Sequence, residues 1–339
     1  MIKAVPVLLF AALAVAQEPI PAKSFVLDDY HNVVSVDLAK LRAKDIWGDL
    51  EASVLKPVLT ELEREFGGPL DSLDRMLLVA EFGDPAEDAR LIREVRVFEG
   101  NTGLPVPTSL QAKTWEKRDL GGREVWCRSG FREERMYQPS ANVQVWGTGL
   151  ALDPVFEGEK RHGMPCADVM SLLSGKEESL AYIVLDVTRG PLRNQLLRGL
   201  FKDVDWPQGQ EPSFLALRLL VTGDPDDPHL TVEAVLRHAA DGEGVAVSDK
   251  AIDAFLERAR TAPEFRAMRP VLREFHKKRD RADLLLVADL GRSRQAVGNV
   301  AGIVIALLGP QGRAATVEAE VAVPPPPPPP PVEPPKKKD

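Results

Sequence analysis

The chain of 339 residues is 44% hydrophobic, 28% charged and only 6% aromatic, enough apolar material for one large domain or two of ordinary size. Its 51 acidic residues against 43 Lys and Arg leave a formal charge of −8, which argues against nucleic acid as a partner.

Residues 1–16 read as a secretory signal. Lys3 supplies the positive start, an apolar run broken only by Pro6 follows, and Ala14-Val15-Ala16 precede a cut at Gln17. The run is too short for a bilayer-spanning helix, which needs about 20 apolar residues. No Cys follows the small residues, which disfavours a lipid anchor, and no later stretch is apolar enough to span a membrane. The expected location is therefore periplasmic or extracellular. In that setting Cys127 and Cys166, the two cysteines present, form either one disulfide or two separate buried thiols. The bond would stabilise the fold by about 3–4 kcal/mol on the chain-entropy model.

Along the chain, residues 32–36 predict a strand. Ile46, Leu50, Val54, Leu55, Val58, Leu59 and Leu62 follow at helical spacing, stopped by Gly67-Gly68-Pro69. Strands are expected at 76–80 and 95–98, and further β-like segments at 124–127 and 143–146. After a Gly- and Pro-containing stretch at 158–165 the order resumes: a strand at 180–187, a helix at 192–201, and strands at 214–221 and 230–236 joined through 223–228. Helices are then expected at 251–259 and 265–278, a strand at 283–289, and a helix at 294–308. Both halves share the order strand, helix, strand, strand. The pattern predicts a duplicated α+β protein of ferredoxin-like (split βαβ) character, with lobes at 25–157 and 166–312. Eight consecutive prolines begin at Pro324, within a tail (322–339) that ends on Lys336, Lys337 and Lys338. It reads as an extended polyproline segment, either a spacer or a solvated end.

The signal, the opening Val34-Ser35-Val36-Asp37-Leu38-Ala39-Lys40-Leu41-Arg42, the Leu73-Asp74-Arg75-Met76 lead into a strand, and the strand at 284–290 with its following helix carry a resemblance. In these features the chain resembles uncharacterised exported proteins of planctomycete-type bacteria. The resemblance implies a two-lobed secreted α+β protein and carries over no site.

Asp37, Asp186 and Asp289 each close a strand just before a helix. Converging, they would form an acid–base pair or hold a cation; apart, they serve as helix caps. The acidic turn at 223–228 lacks the ligand spacing of a calcium loop. His31, His162, His229, His238 and His276 stand at no metal-binding spacing, so neither a metal site nor a cofactor is expected. Residues 258–281 are strongly basic, and Arg266, Arg269, Arg273 and Lys277 recur at helical spacing. That stripe is either a surface for an anionic envelope polymer or acidic protein, or the charged outer face of a core helix. Neither a phosphate-binding glycine loop, a nucleophile elbow nor a zinc-protease helix is present. The readings left open are an exported non-enzymatic binding or scaffold protein, an exported hydrolase using strand-end carboxylates, and an envelope-attachment protein acting through the basic helix and lysine tail.

Overall fold

The computed structural model describes residues 20–27, 30–44, 46–52, 68–83, 91–105, 114–128, 133–158, 179–188, 204–224, 227–262 and 275–292, together with positions 56, 59, 60, 63, 66, 269, 272, 295, 296, 298 and 299. The signal segment, Cys166, Arg266, Arg273, the helix expected at 192–201 and the lysine tail lie outside the described residues, as does most of the helix expected at 294–308.

The chain forms twelve strands: β1 (Asn32–Asp37), β2 (Leu73–Phe82), β3 (Leu91–Gly100), β4 (Trp115–Leu120), β5 (Arg123–Arg128), β6 (Glu134–Ser140), β7 (Val143–Thr148), β8 (Ala181–Asp186), β9 (Pro212–Asp224), β10 (Asp227–His238), β11 (Phe275–Asp280) and β12 (Asp283–Arg292). They lie in one sheet ordered β11-β12-β10-β9-β8-β1-β2-β3-β7-β6-β5-β4. Four helices are described: α1 (Leu38–Ala43), α2 (Ile46–Glu51), α3 (Asp153–Phe156) and α4 (Glu243–Thr261). A 3-10 turn at Ala22–Phe25 precedes β1.

This architecture overturns the expected pair of ferredoxin-like α+β lobes. A split βαβ unit sets the strands joined by a crossover parallel, with another strand between them. Here β1 and β2, joined through α1 and α2, are direct antiparallel neighbours, with Val34 opposite Leu78. β1 also pairs antiparallel with β8, placing Val33 opposite Val184. That pairing, through the backbone N–H and C=O groups along the facing edges of β1 and β8, stitches the strands of both halves into a single antiparallel sheet.

Side chains alternate between the two faces of a strand, so register determines what each face buries. On the front face one row runs Leu285, Val235, Ala216, Val184, Val33, Val79, Val95 and Gly147 across eight neighbouring strands. Val79, Val95, Val184 and Ala216 are completely buried, and burying a valine stabilises the fold by about 1.5–3 kcal/mol. Phe25, Leu27 and Tyr30 pack over this face, where Phe25, Tyr137 and Phe156 of α3 meet ring to ring at 5.4–5.7 Å. Gly147 admits that cover: a Cβ there would stand 2.5 Å from Leu152 Cγ.

The back face carries α1 and α2, whose Leu38, Leu41, Ile46 and Trp47 cluster with Phe98, Leu230 and Leu290. Further along it α4 sets Ile252, Leu256 and Ala259 against Leu236 and Leu284. Of the helix expected at 265–278, positions 269 and 272 are helical, whereas 275–278 belong to β11, an outer strand of the sheet.

Candidate functional site

The end of the front face where β1 stops and β8 begins is hollow. β1 terminates because Asp37 turns its side chain onto the first turn of α1: Lys40 N–H donates to Asp37 Oδ1 at 2.9 Å. The capping role expected of this residue is what it performs. In register, Asp37 stands beside Arg75 of β2, and Arg75 beside Glu99 of β3. Asp37 Oδ2 lies 3.3 Å from Lys40 Nζ and 3.9 Å from an Arg75 nitrogen, and the other terminal nitrogen of Arg75 is 3.6 Å from Glu99. One step inward the same face presents Tyr182, Ser35, Leu77 and Val97 as the next cross-strand row. The 3-10 turn covers these rows with Ala22, Lys23 and Val26, and residues 179–181 complete the wall. The cleft, open to solvent on one side, has a volume of about 390 Å³.

The cleft is divided chemically. Val26, Leu77, Val97 and Leu180 supply apolar surface, whereas Lys23, Lys40 and Arg75 face Asp37 and Glu99 among the charged groups. Ser179, in the wall, is only 4% exposed, and its hydroxyl has no hydrogen-bond partner among the described residues. An unsatisfied buried hydroxyl costs about 1–3 kcal/mol.

Asp37, Asp186 and Asp289 do not converge, and Asp289 lies within β12 instead of closing it. Asp37 is held beside Leu180, its backbone N–H donating to the Leu180 carbonyl at 2.8 Å. Asp186 is six residues further along β8, on the order of 20 Å away. There it accepts from the Thr188 backbone N–H at 2.8 Å and the Thr188 hydroxyl at 2.5 Å. Asp289 lies on β12, four strand spacings from β1 and so roughly 19 Å away. It contacts His229 Nδ1 at 2.8 Å and accepts from Gly291 N–H at 2.7 Å. Burial works against its charged form, but the His229 bond, the Gly291 amide and the His229 charge outweigh it and hold the carboxyl below the usual range. Among the described residues no three metal-ligating side chains gather.

Lys277 projects from β11 onto α4, with its ammonium 2.5 Å from Asp249 and 2.6 Å from Asp253. Its desolvation is outweighed by these two carboxylates, which raise its pKa. Arg269 donates to the Thr261 carbonyl at 3.0 Å. Because Lys277 is a strand residue, it does not extend a helical stripe with Arg269. Cys127 on β5 is a free, buried thiol. Burial pushes it up most strongly, against the opposing charges of Arg135 and Arg118.

One buried Ser–His contact went unread in the sequence. Trp206 Nε1–H donates to Ser248 Oγ at 2.8 Å, Ser248 in turn donates to His238 Nε2 at 2.9 Å, and His238 Nδ1–H donates to the Ala282 carbonyl at 3.3 Å. Nδ1 faces an atom that can only accept, which fixes the tautomer. Ser248 is fully buried and His238 is 2% exposed, so no substrate reaches the pair, and it fastens α4 to β10.

Lys23, Arg75, Glu99, Ser179 and Tyr182 were also not singled out from sequence. The available signal was phase: Arg75 sits two residues before Leu77 and four before Val79, so a cation shares the face of the buried valines.

No protein-family model matches the chain, and no curated sequence is similar to it. Among solved structures, crystal form III of TP0453 aligns with a TM-score of 0.43 at 10% identity, covering 83% of this chain and 98% of that one. Crystal form I of the same protein aligns with a TM-score of 0.40 at 12% identity, covering 85% and 99%. The likeness is one of partial shape and assigns no activity.

Proposed function

We propose that this protein is an exported, non-enzymatic binding protein that takes a small organic ligand into the cleft between the 3-10 turn and the β8-β1-β2-β3 end of the sheet. The observation that carries the reading is the cleft itself: about 390 Å³, with an apolar floor and a charged rim. Its size and lining match what small-molecule sites require, an apolar enclosure with a few placed polar groups. Export rests on the composition of residues 1–16. Dispersal of Asp37, Asp186 and Asp289 favours binding over carboxylate-based hydrolysis, and the pairing of Lys277 with two aspartates favours it over envelope attachment through the basic segment.

The test is calorimetric titration of the full chain with ten-carbon ligands bearing neutral, anionic or cationic heads, repeated on Leu77→Trp, which fills the floor. Saturable binding of at least one ligand, lost in Leu77→Trp while circular dichroism is unchanged, is expected. Failure of all three ligands to bind the unaltered protein would overturn the reading.

A further inference from the structure

Resting on that reading of the cleft, the charge pattern of its rim names the ligand class. Both rim carboxylates are already engaged. Asp37 holds the α1 amide, Lys40 at 3.3 Å and Arg75 at 3.9 Å, and Glu99 faces Arg75 at 3.6 Å. Lys23, on the covering turn, has no ion-pair partner among the described residues. Among the described lining residues three cations stand against two carboxylates, on a chain whose formal charge is −8. A cationic ligand would have to displace Lys40 or Arg75 from Asp37, whereas an anion meets Lys23 without displacing anything. Val26, Leu77, Val97 and Leu180 can accept only an apolar body.

We propose that the cleft binds a small amphiphilic monocarboxylate, its chain among Val26, Leu77, Val97 and Leu180 and its head at Lys23, and that Lys23 sets the preference for a negative head. The contact is an exposed charge–charge attraction, so its effect on affinity is modest, salt-sensitive and specific to head charge.

Calorimetry on the full chain compares decanoate, decan-1-ol and decyltrimethylammonium, at low and high salt, for the unaltered protein, Lys23→Glu and Lys23→Arg. Decanoate is expected to bind most tightly, with an advantage that shrinks as salt rises. Lys23→Glu should weaken decanoate by about tenfold with little change for decanol, and Lys23→Arg should retain the preference. Equal binding of all three heads would overturn the assignment while leaving the cleft reading intact. An equal loss of decanoate and decanol in Lys23→Glu would also overturn it, since that pattern marks a structural effect of the turn and not a charge effect. Absence of binding by all three ligands would remove the cleft reading itself.

Discussion

Acidification below about pH 6.5 should weaken the attachment of α4 to the sheet, and His238 is the group through which it acts. Burial is the largest influence on this imidazole and lowers its pKa from the ordinary value of about 6.5; Arg279 acts in the same direction, whereas the Ala282 carbonyl and Asp283 oppose it. Asp283 is itself committed to Arg237, which donates to both of its oxygens at 2.8 and 3.1 Å. The native state thus takes up this proton at lower pH than the unfolded chain does. Between the two pKa values the unfolded chain binds more protons, so stability rises with pH there. The contribution is full above about 6.5 and is lost as pH falls through the window below it, at a limiting slope of about 1.4 kcal/mol per pH unit. Urea unfolding from about pH 7.5 down to about pH 5, on the unaltered protein and on His238→Gln, isolates this slope, because carboxylates and the other histidines contribute to both. The unaltered protein should lose stability more steeply through that window. Parallel pH profiles for the two proteins would refute the reasoning.

At neutral pH, Ser248→Ala removes the hydrogen that His238 Nε2 accepts, and an unfolding free energy lower by about 1–3 kcal/mol is expected in the same urea assay. Asp37→Ala should cost about 0.5–2 kcal/mol through loss of the α1 cap, read as a lower melting temperature. The same change frees Lys40 and Arg75 of their shared counter-charge, so decanoate binding should strengthen even as stability falls. Gly147→Ala drives a Cβ against the fully buried Leu152 and should destabilise by about 1–3 kcal/mol. In a Cys166→Ser background, Cys127 should resist a thiol-specific chromogenic reagent until urea unfolds the chain; reaction within mixing time in native buffer would contradict its burial and raised pKa.

Strands that alternate or run apolar were legible in the sequence: β1, β2, β3, β5, β7, β8, β9, β10 and β12 all fall where the pattern placed them. The three that escaped have identifiable physical reasons. β4 and β11 are the two edges of the sheet, and their Glu116-Lys117-Arg118-Asp119 and Lys277-Lys278-Arg279-Asp280 runs are the charge that keeps open edges from pairing with other chains. Such charge erases the period-2 signal, and in β11 it continued a basic run that scanned as helix. β6 contains Pro139, accommodated where the pairing with β7 slips between Tyr137 and Ser140. The arrangement of strands was not legible, because local pattern does not say which strand edge meets which. The cleft was hidden for the same reason: Lys23, Asp37, Arg75, Glu99 and Ser179 are neighbours only through the β8-β1-β2-β3 register.

The β1–β8 junction also bears on how a molecule of this kind comes into being. Val33 and Val184 are separated by about 150 residues of chain, so the middle of the sheet is completed by a late, long-range event. Until β8 has been made, the newborn N-terminal strands end in a bare, valine-rich margin, a template onto which a sibling chain can add. A product truncated after residue 157 would therefore not be a smaller working version of the protein but a self-associating fragment. Completing the sheet in one piece is what removes that exposed margin.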